Sequence, residues 1–342
     1  MNHETHSKTG ANVKAGNAGR PIAEGMFVPI HGVDQWLTIR GADRSNPALL
    51  IMSGPGGAFS PWAPFFAPWE TRFTLVQWDQ PGAGATHERN GEAGGPLTID
   101  RLVHDGIAVA EYVCSHLDTR KVALLGFSGG TIVGLSMARR RPDLISAYAG
   151  NGQIVDWARQ DALSYELLLE QSRRAGDTAA IAELTAIGPP PYPNTATDAI
   201  KSKYAGAMTA AERAALAALN PAELAALQAV PLEEARARAT VAYDALRAEI
   251  VTFDARKLGL EFGVPMFFLQ GELDAFTVTS EVEAYAESIV APHKRFVLMK
   301  GAGHAAFAMR DELLRLLDEH VRPLAVAAEL APHASSSTVG RI

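Results

Sequence analysis

The chain has 342 residues, 47% hydrophobic and 20% charged, a globular composition with enough apolar surface for a sizeable core in one large domain or two smaller ones. Its 31 basic residues are outnumbered by 38 acidic ones, giving a formal charge of −7, so no global positive field attracts a phosphate backbone and nucleic acid is not expected as a partner. The single cysteine, Cys114, has no partner for an internal disulfide, residues 1–24 lack the apolar stretch of a secretory signal, and no run of about 18 apolar residues marks a membrane span; the expectation is a cytoplasmic protein without membrane contact.

In chain order, residues 1–24 read as a flexible tail. Phe27–Ile30 and Gln35–Ile39 then read as a hairpin about His31-Gly32-Val33-Asp34, and Ala48–Met52 and Phe73–Trp78 as compact apolar strands bounded by Gly and Pro. Thr98 resembles a helix N-cap, after which Leu102, Val103, Val109, Val113 and Leu117 recur at helical spacing. Val122–Phe127 is a strand, Gly129–Arg141 the helix behind it, and Leu144–Ala149 a further strand. Over residues 151–255 the texture changes: Ser164–Ala175, Ala210–Ala226 and Pro231–Thr252 are rich in strong helix formers, and Gly188-Pro189-Pro190-Pro191-Tyr192-Pro193 is an extended break. Strands resume at Val264–Leu269 and Phe296–Met299, each followed by a helical pattern, and residues 326–342 read as a second tail. Near-continuous apolar strands alternating with helices predict an α/β architecture with a mostly parallel central sheet flanked by helices. The core would comprise residues 25–150 and 256–325. Because strands resume afterwards, residues 151–255 read as a helical insertion rather than a second independent domain.

Gly126-Phe127-Ser128-Gly129-Gly130 is a G-x-S-x-G sequence that closes a predicted strand and opens a predicted helix, the setting of a nucleophile elbow. A serine hydroxyl is a poor nucleophile at neutral pH and needs a base, which in turn needs an orienting acid. Asp274 lies in Gly271-Glu272-Leu273-Asp274, just past one late strand, with Glu272 as its rival. His304 lies in Gly301-Ala302-Gly303-His304, just past the next. Ligands of open α/β sheets bind outside the carboxyl ends of strands, so the three side chains are expected to converge there. A tetrahedral intermediate also needs backbone donors. The amide of Gly129 and the loop Met52-Ser53-Gly54-Pro55-Gly56-Gly57 are the expected sources.

These residues resemble the α/β-hydrolase superfamily and, within it, the proline iminopeptidase-like serine hydrolases. Ser53-Gly54-Pro55-Gly56-Gly57 is similar to that branch's HGGPG loop, and Trp78-Asp79-Gln80-Pro81-Gly82-Ala83-Gly84 to its DQRGxGxS segment; the elbow and the GxxD…GxGH pieces complete the set. The resemblance implies Ser128 as nucleophile, Asp274 as orienting acid and His304 as base. It implies oxyanion amides at Ser53 and Gly129, with Gly54 the near alternative, and makes the helical insertion a cap. The chain departs from the pattern at Met52, Ser53, Pro81, Thr86 and Gly129, which leaves backbone donors in place and alters the pocket wall.

The expected reaction is cofactor-independent and metal-free, on a small molecule or short peptide: release of an N-terminal residue by an aminopeptidase. A carboxylesterase or amidase acting on small apolar substrates is the alternative within the class; an acyltransferase and a non-catalytic ligand-binding relative stand outside it. An aminopeptidase needs a carboxylate for the substrate's ammonium group, for which the insertion offers Glu166 and Glu170. Phe59, Trp62 and Phe65, close behind the oxyanion loop, either wall the pocket or pack beneath the cap. Oligomeric state is left open.

Overall fold

The computed structural model describes residues 19–91 and 95–330; the greater part of both predicted tails lies outside the described residues. Eight strands form one sheet: β1 (Ile22–Ile30), β2 (Val33–Gly41), β3 (Ala48–Met52), β4 (Thr74–Asp79), β5 (Val122–Phe127), β6 (Ile145–Asn151), β7 (Met266–Gly271) and β8 (Lys294–Met299). Their spatial order is β1-β2-β4-β3-β5-β6-β7-β8. β2 runs antiparallel to both of its neighbours, and all other pairings are parallel. The hairpin turn places His31 (φ 47°) and Gly32 (φ 82°) in the left-handed region, which suits the twist of a tight two-residue connection.

Each central strand is buried on both faces, and its alternation feeds two cores. Val122 and Leu124 of β5 join the layer under α2 (Ile99–Leu117) and α3 (Gly130–Arg140), with Val109, Val113 and Ile132. Ala123, Leu125 and Phe127 face the other layer, with Phe66, Trp69, Leu313 and Leu317. This explains the unbroken apolar runs in the sequence: a strand covered on both sides has no polar face to alternate with. Truncating a side chain such as Leu124, which is fully buried, to Ala costs about 2–5 kcal/mol.

Two boundaries differ from the sequence reading. The first strand begins at Ile22, inside the predicted 1–24 tail, because Ile22 is buried and pairs with Gly41. The last helix, α12 (Arg322–Leu330), overruns the predicted 326–342 tail. Ala325 is buried on its inner face, and its Glu329 carboxylate accepts hydrogen bonds from the Thr119 hydroxyl and the amides of Arg120 and Lys121. Before it come α10 (Thr279–Ser288) and α11 (Arg310–Leu316).

Between β6 and β7 the described chain is helical: α4 (Trp157–Ala175), α5 (Thr178–Ile187), α6 (Thr195–Ala205), α7 (Ala210–Ala217), α8 (Pro221–Gln228) and α9 (Leu232–Ile250). The predicted helical stretch 210–226 is two helices, because Asn220 caps a new one with Pro221 in its first turn. α1 (Gly84–Asn90) follows β4, and its Thr86 hydroxyl donates to the Asp79 carbonyl. Among the described residues no helix is long and apolar enough to cross a membrane.

Candidate active site

β5 ends at Phe127, α3 begins at Gly130, and Ser128 between them has φ 49°, a left-handed conformation uncommon for a residue with a side chain. Two packing constraints produce it. A Cβ at Gly126 would stand 2.9 Å from the Gly130 carbonyl oxygen and 2.9 Å from Thr131 Cα, and one at Gly130 would collide with the carbonyls of Met52 and Ser53. The strand-to-helix turn can close this tightly only with glycine at both places. The Ser128 amide donates to the Asn151 carbonyl (2.9 Å), and its own carbonyl accepts from the Thr131 amide (2.8 Å).

Ser128 Oγ lies 2.9 Å from His304 Nε2, and His304 Nδ1 lies 3.0 Å from Asp274 Oδ2. Residues 146 and 30 positions apart from their neighbours in this chain, taken from the loops after β5, β7 and β8, thus meet at one rim of the sheet. Asp274 is 2% exposed. Its Oδ1 accepts the amides of Phe276 and Thr277, and its Oδ2 accepts from the Gln270 amide group and the Thr277 hydroxyl. Burial pushes this carboxyl's pKa up, but the His304 charge and hydrogen bond, together with the Thr277 donors, outweigh it and hold the group below its ordinary value. An ionised carboxylate only accepts, so His304 carries its proton on Nδ1 and offers the Nε2 lone pair to the Ser128 hydroxyl. Phe276 stacks on the imidazole with centroids 4.5 Å apart. Glu272, the rival acid, accepts the Gly301 amide instead and ties down the loop that carries the histidine.

That loop is also held from the helical segment. Glu212, fully buried at the start of α7, accepts the Gly303 amide (2.7 Å) beside His304 while its other oxygen accepts the Thr209 amide. On the opposite side, a Cβ built on Gly54 would lie 3.6 Å from Gly129 Cα. The two small residues bring the loop after β3 against the elbow. Gln80 supports this loop by donating to the Ser53 carbonyl, and Asp79 gathers the amide and hydroxyl of Ser60 and the amide of Ala85.

A cavity of about 800 Å³ opens over Ser128. Gly54, Pro55 and Gly129 line it from the sheet side, and Trp157, Asp198 and Tyr243 from the helical segment. Ser53 does not line it; its carbonyl and side chain turn into the loop.

None of the five residues offered for the pocket lines this cavity, and for the three aromatic ones the packing alternative holds. Phe59 stacks on Phe127, Trp62 meets Phe65 and Phe307 edge-on, and Phe65 is 1% exposed against Phe66; all three fill the second core layer. Glu166 and Glu170 stand on the solvent face of α4, Glu170 paired with Arg174. The carboxylate at the cavity is Asp198, from α6. It is 7% exposed, its Oδ2 accepts from the Tyr243 hydroxyl, and its Oδ1 has no hydrogen-bond partner among the described residues. Lys201 Nζ stands 4.0 Å away, and that lysine is engaged by Asp161. Burial pushes the Asp198 pKa above its ordinary value. In the sequence this aspartate is the fourth residue of a capped helix, indistinguishable from an acidic residue complementing the helix dipole; only the fold reveals what it faces.

A serine at a strained strand-to-helix turn, hydrogen-bonded to an imidazole and through it to a buried carboxylate on a mostly parallel sheet, defines an α/β-hydrolase fold of the serine hydrolase class. The sequence model of the family described as serine aminopeptidase, S33, matches residues 69–311, and the chain belongs to that family. It is 26% identical over 315 residues to the probable aminopeptidase YbaC of Bacillus subtilis (strain 168), spanning 89% of this chain and 98% of that one. The crystal structure of proline iminopeptidase from Mycobacterium smegmatis superposes with a TM-score of 0.61 at 17% identity, covering 89% and 100% of the two chains. A thermophilic esterase from Thermogutta terrifontis superposes with a TM-score of 0.54 at 18% identity, covering 89% and 99%. These two likenesses carry the fold.

Proposed function

We propose that this serine hydrolase is an aminopeptidase that releases N-terminal residues from small peptides or amides through an acyl-enzyme. Ser128 Oγ attacks the carbonyl carbon as His304 Nε2 takes its proton. The amides of Gly129 and of the Ser53-Gly54 loop, Gly54 being the one at the cavity, stabilise the oxyanion. Collapse expels the leaving amine, which takes the proton back from His304. Water then enters, gives a proton to the same nitrogen and attacks the acyl-enzyme, freeing the acid and restoring Ser128. Asp274 holds the imidazole in the tautomer this requires and stabilises its charged form. Helices α4–α9 act as a cap whose residues close the cavity.

The observation that carries the aminopeptidase reading is Asp198. A buried carboxylate lining the cavity that contains the nucleophile, one of whose oxygens accepts no hydrogen bond among the described residues and has Lys201 4.0 Å away, supplies the counter-charge an N-terminal ammonium group needs in a dry site. Apolar walls alone would serve an ester. The test is a panel of proline, alanine and phenylalanine naphthylamides against their N-acetylated forms and p-nitrophenyl esters. The reading expects the free-amine substrates to be cleaved and N-acetylation to abolish cleavage. Equal turnover of free and N-acetylated substrates, or of esters alone, makes the enzyme an esterase or amidase.

A further inference from the structure

The loop that carries His304 is fixed by hydrogen bonds from two sources. From the loop after β7, Glu272 accepts the Gly301 amide (2.9 Å), and the Leu273 amide donates to the Ala302 carbonyl (2.8 Å). The amide of Gly303, next to His304, is bound instead from the helical segment, by Glu212 Oε1 at 2.7 Å. Contact there is tight. A Cβ on Gly301 would stand 3.2 Å from Ala211 Cβ, and one on Gly303 3.0 Å from Thr209 Cγ2. The first turn of α7 therefore lies directly on this loop, while Leu216 in its last turn and Leu219 just beyond pack against the second core layer.

Helix capping accounts for only half of the Glu212 carboxylate. In the capping box that opens α7, Oε2 accepts the Thr209 amide (2.8 Å) and the Thr209 hydroxyl accepts the Glu212 amide (3.2 Å). α8 opens with the same box, made by Asn220 and Glu223, but there the glutamate is part-exposed and pairs with Arg310. Glu212 is fully buried, and among the described residues no cation pairs with it. Burying a carboxylate is costly unless hydrogen bonds or charges offset it. Here the offset comes from two amides and the positive end of α7. Capping requires neither the burial nor the second amide.

We propose that Glu212 is a positioning residue for the reaction: from α7 it fixes the Gly303 backbone and, through it, the His304 imidazole against Ser128. Proton transfer from Ser128 to His304 then depends on how the cap is seated, apart from any contact between cap and substrate. The inference rests on the reading of Ser128 as nucleophile and His304 as base, and is independent of which substrate the enzyme takes. Misplacing a reacting group by about 1 Å lowers a rate about a hundredfold, so the effect belongs in kcat rather than in binding.

The test compares Glu212→Gln, Glu212→Asp and Glu212→Met, with Asn220→Ala as a control that opens the box of α8 away from the histidine loop. A p-nitrophenyl ester or a naphthylamide gives kcat and KM, the rate of fluorophosphonate labelling reads the serine directly, and urea unfolding gives stability. Gln keeps an oxygen for the Gly303 amide and loses the charge. Asp keeps the charge in the first turn of α7 and draws its oxygens back by one methylene. Positioning therefore predicts Glu212→Gln within about threefold of the parent. Glu212→Asp and Glu212→Met should fall about 10- to 100-fold in kcat and labelling rate together, with KM within about twofold. A purely electrostatic role reverses the order of Gln and Asp. Asn220→Ala is expected to lower the urea midpoint and keep the parental kcat. Parental kcat and labelling in Glu212→Asp or in folded Glu212→Met, Glu212→Asp outperforming Glu212→Gln, or an equal loss of kcat in Asn220→Ala would each overturn the proposal; the Gln and Asp variants decide it if Glu212→Met does not fold. A parent enzyme that is not labelled at Ser128 removes the nucleophile reading and this inference with it, whereas a labelled parent with unaffected variants removes this inference alone.

Discussion

Replacing Asp198 by Asn separates recognition of the amine from the chemistry at Ser128. The substitution keeps the size of the side chain and an oxygen for the Tyr243 hydroxyl, which donates at 3.2 Å. It removes the charge, while Lys201, 4.0 Å away, keeps Asp161 as its partner. A hydrogen bond to a charged group contributes about 1.5–3 kcal/mol, so kcat/KM for alanine or proline naphthylamide should fall about 10- to 100-fold. Turnover of a p-nitrophenyl ester, which has no ammonium group, should change little. Stability should move the other way. Burial raises the folded-state pKa of Asp198, so its protonated form is the one the fold favours. That stabilisation is present in acid and is lost as pH rises through the folded value. The ionised carboxylate is therefore a net cost to the fold that Asn removes, and thermal unfolding should occur no lower than in the parent. Parallel losses on amine and ester substrates, or no loss on either, refute the argument.

Asp274 carries the opposite sign. Although burial opposes it, His304 and Thr277 hold its pKa below the ordinary value, so its contribution to stability is complete above the unfolded value of about 3.9 and is lost as pH falls through the lower folded one. Asp274→Asn should therefore flatten the loss of urea stability below about pH 4 and, by unsettling the His304 tautomer, lower kcat by about ten-thousand-fold; an unchanged acid profile contradicts this. Gly130→Ala should drive a methyl group into the carbonyls of Met52 and Ser53, costing about 1–3 kcal/mol by overpacking and displacing the oxyanion loop, so that urea midpoint and kcat fall together; a variant with parental kcat excludes the close approach.

The parts of this molecule that were legible in the sequence are those fixed by local rules. Val122–Phe127 followed by Ser-Gly-Gly names its own strand, turn and helix, and Asp274 and His304 each sit a few residues past a strand, so their meeting follows from parallel topology. Which of the two readings holds for Phe59, Trp62 and Phe65 could not be read from nearness along the chain to Gly54, which does not set side-chain direction: Phe59 stacks on Phe127, Trp62 meets Phe307 and Phe65 packs on Phe66. Glu166 and Glu170 share a helix with buried Tyr165 and Leu168 but take its outer face. Asp198 was out of reach because what sets it apart is the cavity it lines, assembled from the loops after β3 and β5 and from α4, α6 and α9, and no short window of sequence contains that.

The central claim is that Ser128 is a nucleophile activated by His304. Intact-mass and peptide mass spectrometry after exposure to a fluorophosphonate tests it most directly. A single adduct on Ser128, absent from Ser128→Ala and strongly slowed in His304→Ala, is the predicted result. Full labelling of Ser128→Ala, or an adduct on another residue with Ser128 unmodified, would contradict it.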